Sequence, residues 1–190
     1  MSEIVAVINA FLYSYIMQQN VFFKYKKICV IGAPGAGKTF FAQRLAEYLN
    51  RPLIHFDSVR FVNIPGGVRE NSPRICQAHL KKALSQTDTW LAEGTAWQPW
   101  TEHAIAQCDI VIVVRQSLMR RARRIVWRWL VLDCRHWKLK SMINLIRISA
   151  QYDATRLPVI LARAEKHSKK VVFVSPTIRD NRRMRWRVTK

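Results

Sequence analysis

Residues 32–39 read Gly-Ala-Pro-Gly-Ala-Gly-Lys-Thr, a complete match to the pattern G-x-x-x-x-G-K-[S/T]. In this pattern the glycines let the backbone curl until its N–H groups point at a phosphate chain. The lysine, here Lys38, then reaches the β- and γ-phosphates, and the hydroxyl of Thr39 holds Mg²⁺. The pattern predicts nucleotide contacts from Gly32, Gly35, Ala36, Gly37, Lys38, Thr39 and Phe40.

The residues on either side of this loop provide the strand and the helix that phosphate binding requires. Residues 28–31 form a short apolar run rich in β-branched residues, which predicts a buried strand. Residues 40–49 carry apolar side chains at helical spacing, and Asn50 and Pro52 end that helix. The positive end of the helix dipole then lies at the phosphates. This context disfavours an accidental Lys-Thr after a glycine-rich turn.

Strand-like and helix-like segments alternate along the rest of the chain, without internal repeats. Residues 62–73 contain two prolines and two glycines and are predicted to be a loop. The pattern predicts an α/β fold of three layers, with a five-stranded parallel sheet, helices on both faces and ligands at the carboxyl ends of the strands. Further strands are predicted at 53–56, 89–92, 109–114 and 171–174, and helices at 74–84, 102–107, 117–132, 140–151 and 159–167.

Composition limits the class of protein but does not fix its partners. The 190 residues are 49% apolar, enough for one domain with a sizeable core. The 32 basic residues against 12 acidic ones give a formal net charge of +20. Nucleotides, nucleic acid and anionic membrane surfaces all suit that charge, as does a basic soluble enzyme that steers an anionic substrate.

The cysteines and histidines show no pattern of metal ligands or disulfides. The four cysteines, at 29, 76, 108 and 134, lack any C-x-x-C spacing, and the five histidines are scattered. Reduced, buried thiols indicate a cytoplasmic protein.

The two ends of the chain differ from the central part. Residues 1–24 are predicted to be an apolar helical extension, too short for a confident membrane span and without the basic start of a signal peptide. Two interpretations stay open: a helix packed on the domain or on another subunit, and a helix that dips into a membrane surface. Residues 181–190 are predicted to be a basic tail, which leaves 25–180 as the main domain.

Two acidic residues follow predicted strands, at the edge of the sheet where the phosphate loop lies. Glu93 ends the strand at 89–92 and is the candidate for the metal, directly or through a water. Asp57 ends the strand at 53–56 and is the candidate for binding or deprotonating an acceptor. A helix cap or a loop hydrogen bond is the structural alternative for each.

A row of arginines lies on the predicted helix at 117–132. Arg120, Arg124 and Arg128 are spaced at i, i+4 and i+8 and therefore share one face. Like charges at this spacing repel, so the row is easier to explain if it faces an anion, such as nucleotide phosphates or nucleic acid. A solvated face is the alternative. Arg124 and Arg128 are the candidates for a catalytic role.

Together, the loop, Asp57, Glu93-Gly94 and the arginine helix resemble the adenylate-kinase-like P-loop kinases. More narrowly, the chain resembles the bacterial DNA topology modulation proteins over about residues 27–180. That resemblance implies binding of ATP or GTP with Mg²⁺, a helical lid within about 118–160, and Arg156 as a lid-side phosphate contact. The matching segments are 28–49, Ile54-His55-Phe56-Asp57, Trp90-Leu91-Ala92-Glu93-Gly94-Thr95, Tyr152 with Arg156 and Pro158, and 171–179.

Three functions follow from these observations. The first is a nucleotide-kinase-like phosphotransferase acting on a small acceptor. The second is a nucleic-acid-associated ATPase or polynucleotide-end kinase, indicated by the charge and by tryptophans beside arginines at 127–129 and 186–187. The third is a nucleotide switch anchored to a membrane or a partner through residues 1–24.

Overall fold

A computed structural model describes residues 22–65, 67–133, 139–178 and 184–189 of the chain. The predicted helix at 1–24 therefore lies almost wholly outside the described residues. The strands are β1 (Lys27–Gly32), β2 (Leu53–His55), β3 (Phe61–Ile64), β4 (Gly67–Glu70), β5 (Trp90–Gly94), β6 (Ile110–Val114), β7 (Lys170–Ile178) and β8 (Met184–Thr189). The helices are α1 (Lys38–Leu49), α2 (Phe56–Arg60), α3 (Pro73–Ser85), α4 (Glu102–Gln107), α5 (Leu118–Arg128), α6 (Leu139–Thr155) and α7 (Leu157–Lys166).

The main sheet has the strand order β2-β5-β1-β6-β7-β8, and its first five strands are parallel. Helices cover both sides of it, which confirms the predicted α/β fold with a five-stranded parallel sheet. β1 lies at the centre because residues 28–31 are apolar toward both faces and fully buried. Since parallel strands end at one edge, the carboxyl ends of β1, β2 and β5 meet beside the phosphate loop.

Two segments form strands where the sequence analysis predicted none. The expected loop at 62–73 contains an antiparallel hairpin of β3 and β4. The turn at Pro65 precedes β4, and each of the two strands has only four residues, too few for a clear alternating pattern. The expected basic tail contributes β8, which pairs antiparallel with the edge of β7. Residues 184–189 alternate apolar and polar types, the period of a strand, but their charge favoured a tail.

Other element boundaries shift by a few residues. β2 ends at His55, so Asp57 lies in the first turn of α2 and not at a strand end. The last helix begins at Leu157 and not at 159, because Pro158 fits the first helical turn, where its missing N–H costs nothing. Helix α5 continues as a π-helical turn through Trp129–Asp133. Within the described ranges, no helix has the length and apolarity needed to cross a membrane.

The core of the sheet tests this architecture. Ile112 of β6 is fully buried, so Ile112→Ala is expected to lower the free energy of unfolding by about 2–5 kcal/mol through lost burial and a residual cavity. Ile143 of α6 is 54% exposed, and Ile143→Ala should change it by less than about 1 kcal/mol. Urea denaturation followed by circular dichroism measures both. Equal losses in the two variants would contradict the central position of β6.

Candidate nucleotide site

The phosphate loop leads directly from the central strand into a long helix. Gly35 and Gly37 have φ of 78° and 90°, in the left-handed region that favours glycine. Gly37 also precedes α1, and no side chain caps that helix end. The first backbone N–H groups of α1 therefore remain available to an anion, together with the positive end of the helix dipole.

A buried carboxylate lies beside the loop. Glu93, the fourth residue of β5, is only 3% exposed. The hydroxyl of Thr39 donates to it, with distances of 3.2 and 3.3 Å to the two carboxylate oxygens. Sequence analysis predicted that these two residues share a metal, and the structure brings them together. A hydroxyl and a carboxylate are the oxygen ligands that Mg²⁺ prefers, so this pair fits that ion.

His55 is a third member of this group that sequence reasoning did not assign. Its Nδ1 lies 2.8 Å from Oε1 of Glu93. The contact arises because His55 is aligned with Glu93 in the parallel pairing of β2 and β5. In the sequence, the only indication of a site residue was that His55 directly follows two apolar strand residues. Without the register, nothing in the sequence linked it to Glu93.

Arg124 is the member of the predicted arginine row that contacts the loop. Its Nη1 donates to the carbonyl oxygens of Ala36 at 3.1 Å and Gly35 at 3.4 Å. Burial lowers the pKa of Arg124, and the nearby Arg120 lowers it further. The same nitrogen lies 2.8 Å from where a Cβ on Gly37 would stand. This guanidinium therefore lies directly against the loop.

The other two arginines of the row lie differently. Both Arg120 and Arg128 are exposed. The guanidinium of Arg120 lies 3.4 Å from Oε1 of Gln116, one turn earlier on the chain. Their predicted contacts with phosphates stay predictions.

Arg121 is buried under the loop, although the sequence row did not include it. It is 4% exposed, and its Nη2 donates to Oδ2 of Asp153 at 2.7 Å. A Cβ on Gly35 would come within 2.6 Å of the Arg121 carbonyl oxygen, so the loop packs directly on α5. This close approach explains a glycine at that position.

Helix α6 holds the loop and the end of β5 in place. The hydroxyl of Ser149 donates to the carbonyl of Pro34 at 2.9 Å, and that of Tyr152 donates to the carbonyl of Thr95 at 3.0 Å. Tyr152 is 1% exposed, and burial raises the pKa of its phenol well above the usual value. The sequence resemblance included Tyr152 but implied no contact for it.

Arg156 lies beside the aromatic ring of Trp97. Its guanidinium stacks over the ring of Trp97, 4.5 Å from the centroid, and burial lowers its pKa.

Asp57 is exposed on α2. Its carboxylate makes no hydrogen bond with any residue in the described part of the chain. The structure therefore does not join Asp57 to Glu93 directly.

Two loop residues complete the predicted set. Lys38 is the first residue of α1 and is partly exposed. Within the described ranges its ammonium has no ion-pair partner. The ring of Phe40 lies under the guanidinium of Arg44, 5.5 Å away, and is 36% exposed. Any contribution of Phe40 to phosphate binding must therefore come from its backbone N–H.

The fold is similar to that of solved kinases. Shikimate kinase from Acinetobacter baumannii, solved in complex with shikimate, gives a TM-score of 0.53 at 18% identity, covering 84% of this chain and 87% of that one. A Silicibacter protein assigned as a fructose transport system kinase gives 0.49 at 15% identity, covering 80% and 96%. The sequence matches no protein-family model and no curated protein. The first likeness establishes the fold of the P-loop kinases and, at that identity, the fold alone.

The pair of Arg121 and Asp153 tests how α6 supports the loop. Asp153→Asn leaves the guanidinium of Arg121 buried with a weaker acceptor, and the free energy of unfolding should fall by about 1–3 kcal/mol. Asp88→Asn, the same change at an exposed site, should have an effect within about 0.5 kcal/mol. Chemical denaturation of both variants measures the difference. Matching stabilities would show that this ion pair does not hold α5 against α6.

Proposed function

We propose that this protein is an ATP-dependent phosphotransferase, nucleotide-kinase-like, which moves the γ-phosphoryl group to a small acceptor with Mg²⁺. The hydrogen bond from Thr39 to the buried carboxylate of Glu93 carries the proposal. It joins the residue after the phosphate-loop lysine to a carboxylate at the end of the neighbouring strand, the arrangement that phosphoryl transfer requires. GTP is the alternative donor.

Each residue has a distinct role in this proposal. The loop N–H groups and Lys38 bind the β- and γ-phosphates, and Arg124 adds positive charge beside the transferred group. Thr39 and Glu93 would hold Mg²⁺, which neutralises phosphate charge when bound. His55 fixes the orientation of the Glu93 carboxylate through its 2.8 Å contact.

The acceptor side of the proposal involves Asp57 and Arg156. In the proposal, the acceptor hydroxyl attacks the γ-phosphorus, the bond from that phosphorus to the bridging oxygen breaks, and ADP leaves. Asp57 takes the hydroxyl proton. In the proposal, Arg156, which stacks on Trp97, contacts an anionic group of either ligand. The helices α5 and α6 fall within the range predicted as a lid, and their closure over two ligands is part of the proposal.

Two further assignments belong to the proposal. We infer a cytoplasmic enzyme from the free, buried cysteines, and a relationship to the bacterial DNA topology modulation proteins from the matching segments named above. The fold of the P-loop kinases supports this relationship without distinguishing it from others.

Loss of the loop lysine tests the nucleotide site. Lys38→Ala should reduce turnover of ATP by about 100-fold or more, because the charge on the β- and γ-phosphates loses its cation. Lys82→Ala, at an exposed position on α3, is the matched control and should retain full turnover. Labelled ATP with a panel of small hydroxyl and phosphate acceptors measures both hydrolysis and transfer. Turnover retained by Lys38→Ala refutes the site, and hydrolysis without any transfer refutes the kinase assignment.

Removal of the Glu93 charge tests the metal assignment. Glu93→Gln keeps the side-chain shape, and we expect it to weaken binding of ADP in Mg²⁺ by about 10–100-fold. Binding of ADP in EDTA should change little, because that interaction does not use the metal. Isothermal titration calorimetry in both buffers separates the effects, and Glu165→Gln, at an exposed site, serves as control. An equal loss in EDTA would assign Glu93 a structural role only.

A further inference from the structure

Exposed apolar side chains concentrate on α5, on the π-helical turn that continues it, and on α6. We call these elements together the helical hairpin. Seven large apolar side chains of the described residues are more than half exposed, and six of them lie on this hairpin. The seventh is Val68, on β4. Scattered exposure needs no explanation, but a cluster of this kind marks an interaction site. We call the following six residues the hairpin patch: Met119, Trp127, Leu130, Val131, Leu139 and Ile143.

The patch follows from the helical spacing on two adjacent helices. On α5, Met119, Arg123 and Trp127 recur every four residues and are exposed, while Arg121 and Ile125 face inward and are buried. On α6, Leu139 and Ile143 repeat that spacing at its beginning. Helix α5 packs against α6 through the inward faces. The apolar side chains on the outer faces of the two helices therefore remain exposed to solvent after the helices pack together.

The charge around the patch is predominantly positive, although Asp133 follows Val131 by two residues. Exposed basic residues lie among the apolar ones, and residues 118–131 and 139–147 contain no Asp or Glu. A partner must therefore be anionic and must also accept aliphatic side chains. The basic residues concerned are Arg120, Arg123, Lys140 and Arg147.

We propose that the hairpin patch binds the surface of an anionic lipid bilayer. Aliphatic side chains and a tryptophan enter the boundary between headgroups and acyl chains, while arginines and lysines contact the lipid phosphates. Nucleic acid suits the arginines and Trp127 but offers no apolar receptor for Met119, Leu130 or Ile143. A second copy of the chain would bring like charges together. An anionic lipid surface is negatively charged and also accepts apolar side chains, so it meets both requirements.

This inference is independent of the proposed enzyme activity. It also differs from an anchor at residues 1–24, since it assigns the contact to the hairpin. The same helix α5 carries Arg124, which bonds to the carbonyl of Ala36. A membrane contact on its outer face would therefore lie one helix thickness from the phosphate loop.

Co-sedimentation of the full chain with vesicles tests the proposal. The vesicles contain phosphatidylcholine alone, or phosphatidylcholine with phosphatidylglycerol. Partition into the anionic vesicles should exceed that into the neutral ones and should decrease as salt is added. Arg123→Gln and Arg147→Gln should each lower it about fivefold.

A matched pair of substitutions tests the apolar part. Val131→Glu introduces a charge into the patch at a site 56% exposed, and we expect partition to be lost. Val68→Glu makes the same change at a site 64% exposed on the β3–β4 hairpin, and partition should be retained. Urea denaturation checks that both variants are folded, and the two arginine variants remain decisive if Val131→Glu is not.

Four outcomes would overturn the proposal. They are no partition into either vesicle, equal partition into neutral and anionic vesicles, wild-type partition of all hairpin variants, and binding of DNA or RNA without binding of vesicles. Wild-type partition of the hairpin variants would move the membrane contact to residues 1–21. Binding of nucleic acid alone would assign the arginines to that partner.

Discussion

The parallel pairing of β1 with β5 on one side and β6 on the other is the constraint on which the rest of the structure depends. Parallel strands start and end together, so Thr39 and Glu93, which are 54 positions apart, reach one edge of the sheet whether or not their side chains interact. The hydroxyl of Thr39 and the carboxylate of Glu93 meet there because β1 delivers the loop and β5 delivers the acid. A carboxylate this buried is costly unless it is hydrogen-bonded, and Thr39 and His55 supply those bonds.

Contacts from helices α5 and α6 also hold the phosphate loop in place. Helix α6 reaches the carbonyl of Pro34 through Ser149, and α5 reaches that of Ala36 through Arg124. Both side chains donate to backbone carbonyl oxygens of the loop, so neither of them occupies a loop N–H group. The hairpin therefore supports the curled loop without competing with a phosphate for its donors. Its inward face is committed to the loop, and its outward face is free to carry basic and apolar residues.

Sequence alone predicted the fold class and part of the site, for identifiable reasons. The phosphate loop, the strand before it and the helix after it are local, so spacing and side-chain type are sufficient to predict them. Glu93 followed from its place at a strand end. His55, Arg121 and Tyr152 were missed because their partners are set by strand register and helix packing, which a single sequence does not contain. The β8 strand was missed because a high density of arginine in residues 181–190 obscured its alternating pattern.

The position of β8 affects how molecules of this protein meet one another. A nine-residue strand such as β7, left at the edge of a sheet, presents unpaired N–H and C=O groups to any other chain. β8 covers that edge along Phe173–Ile178 and replaces it with a strand that contains Arg185 and Arg187. β8 itself has six residues, and at the opposite edge β2 has only three. The sheet thus offers only short edges to neighbouring copies, which limits its growth by strand addition.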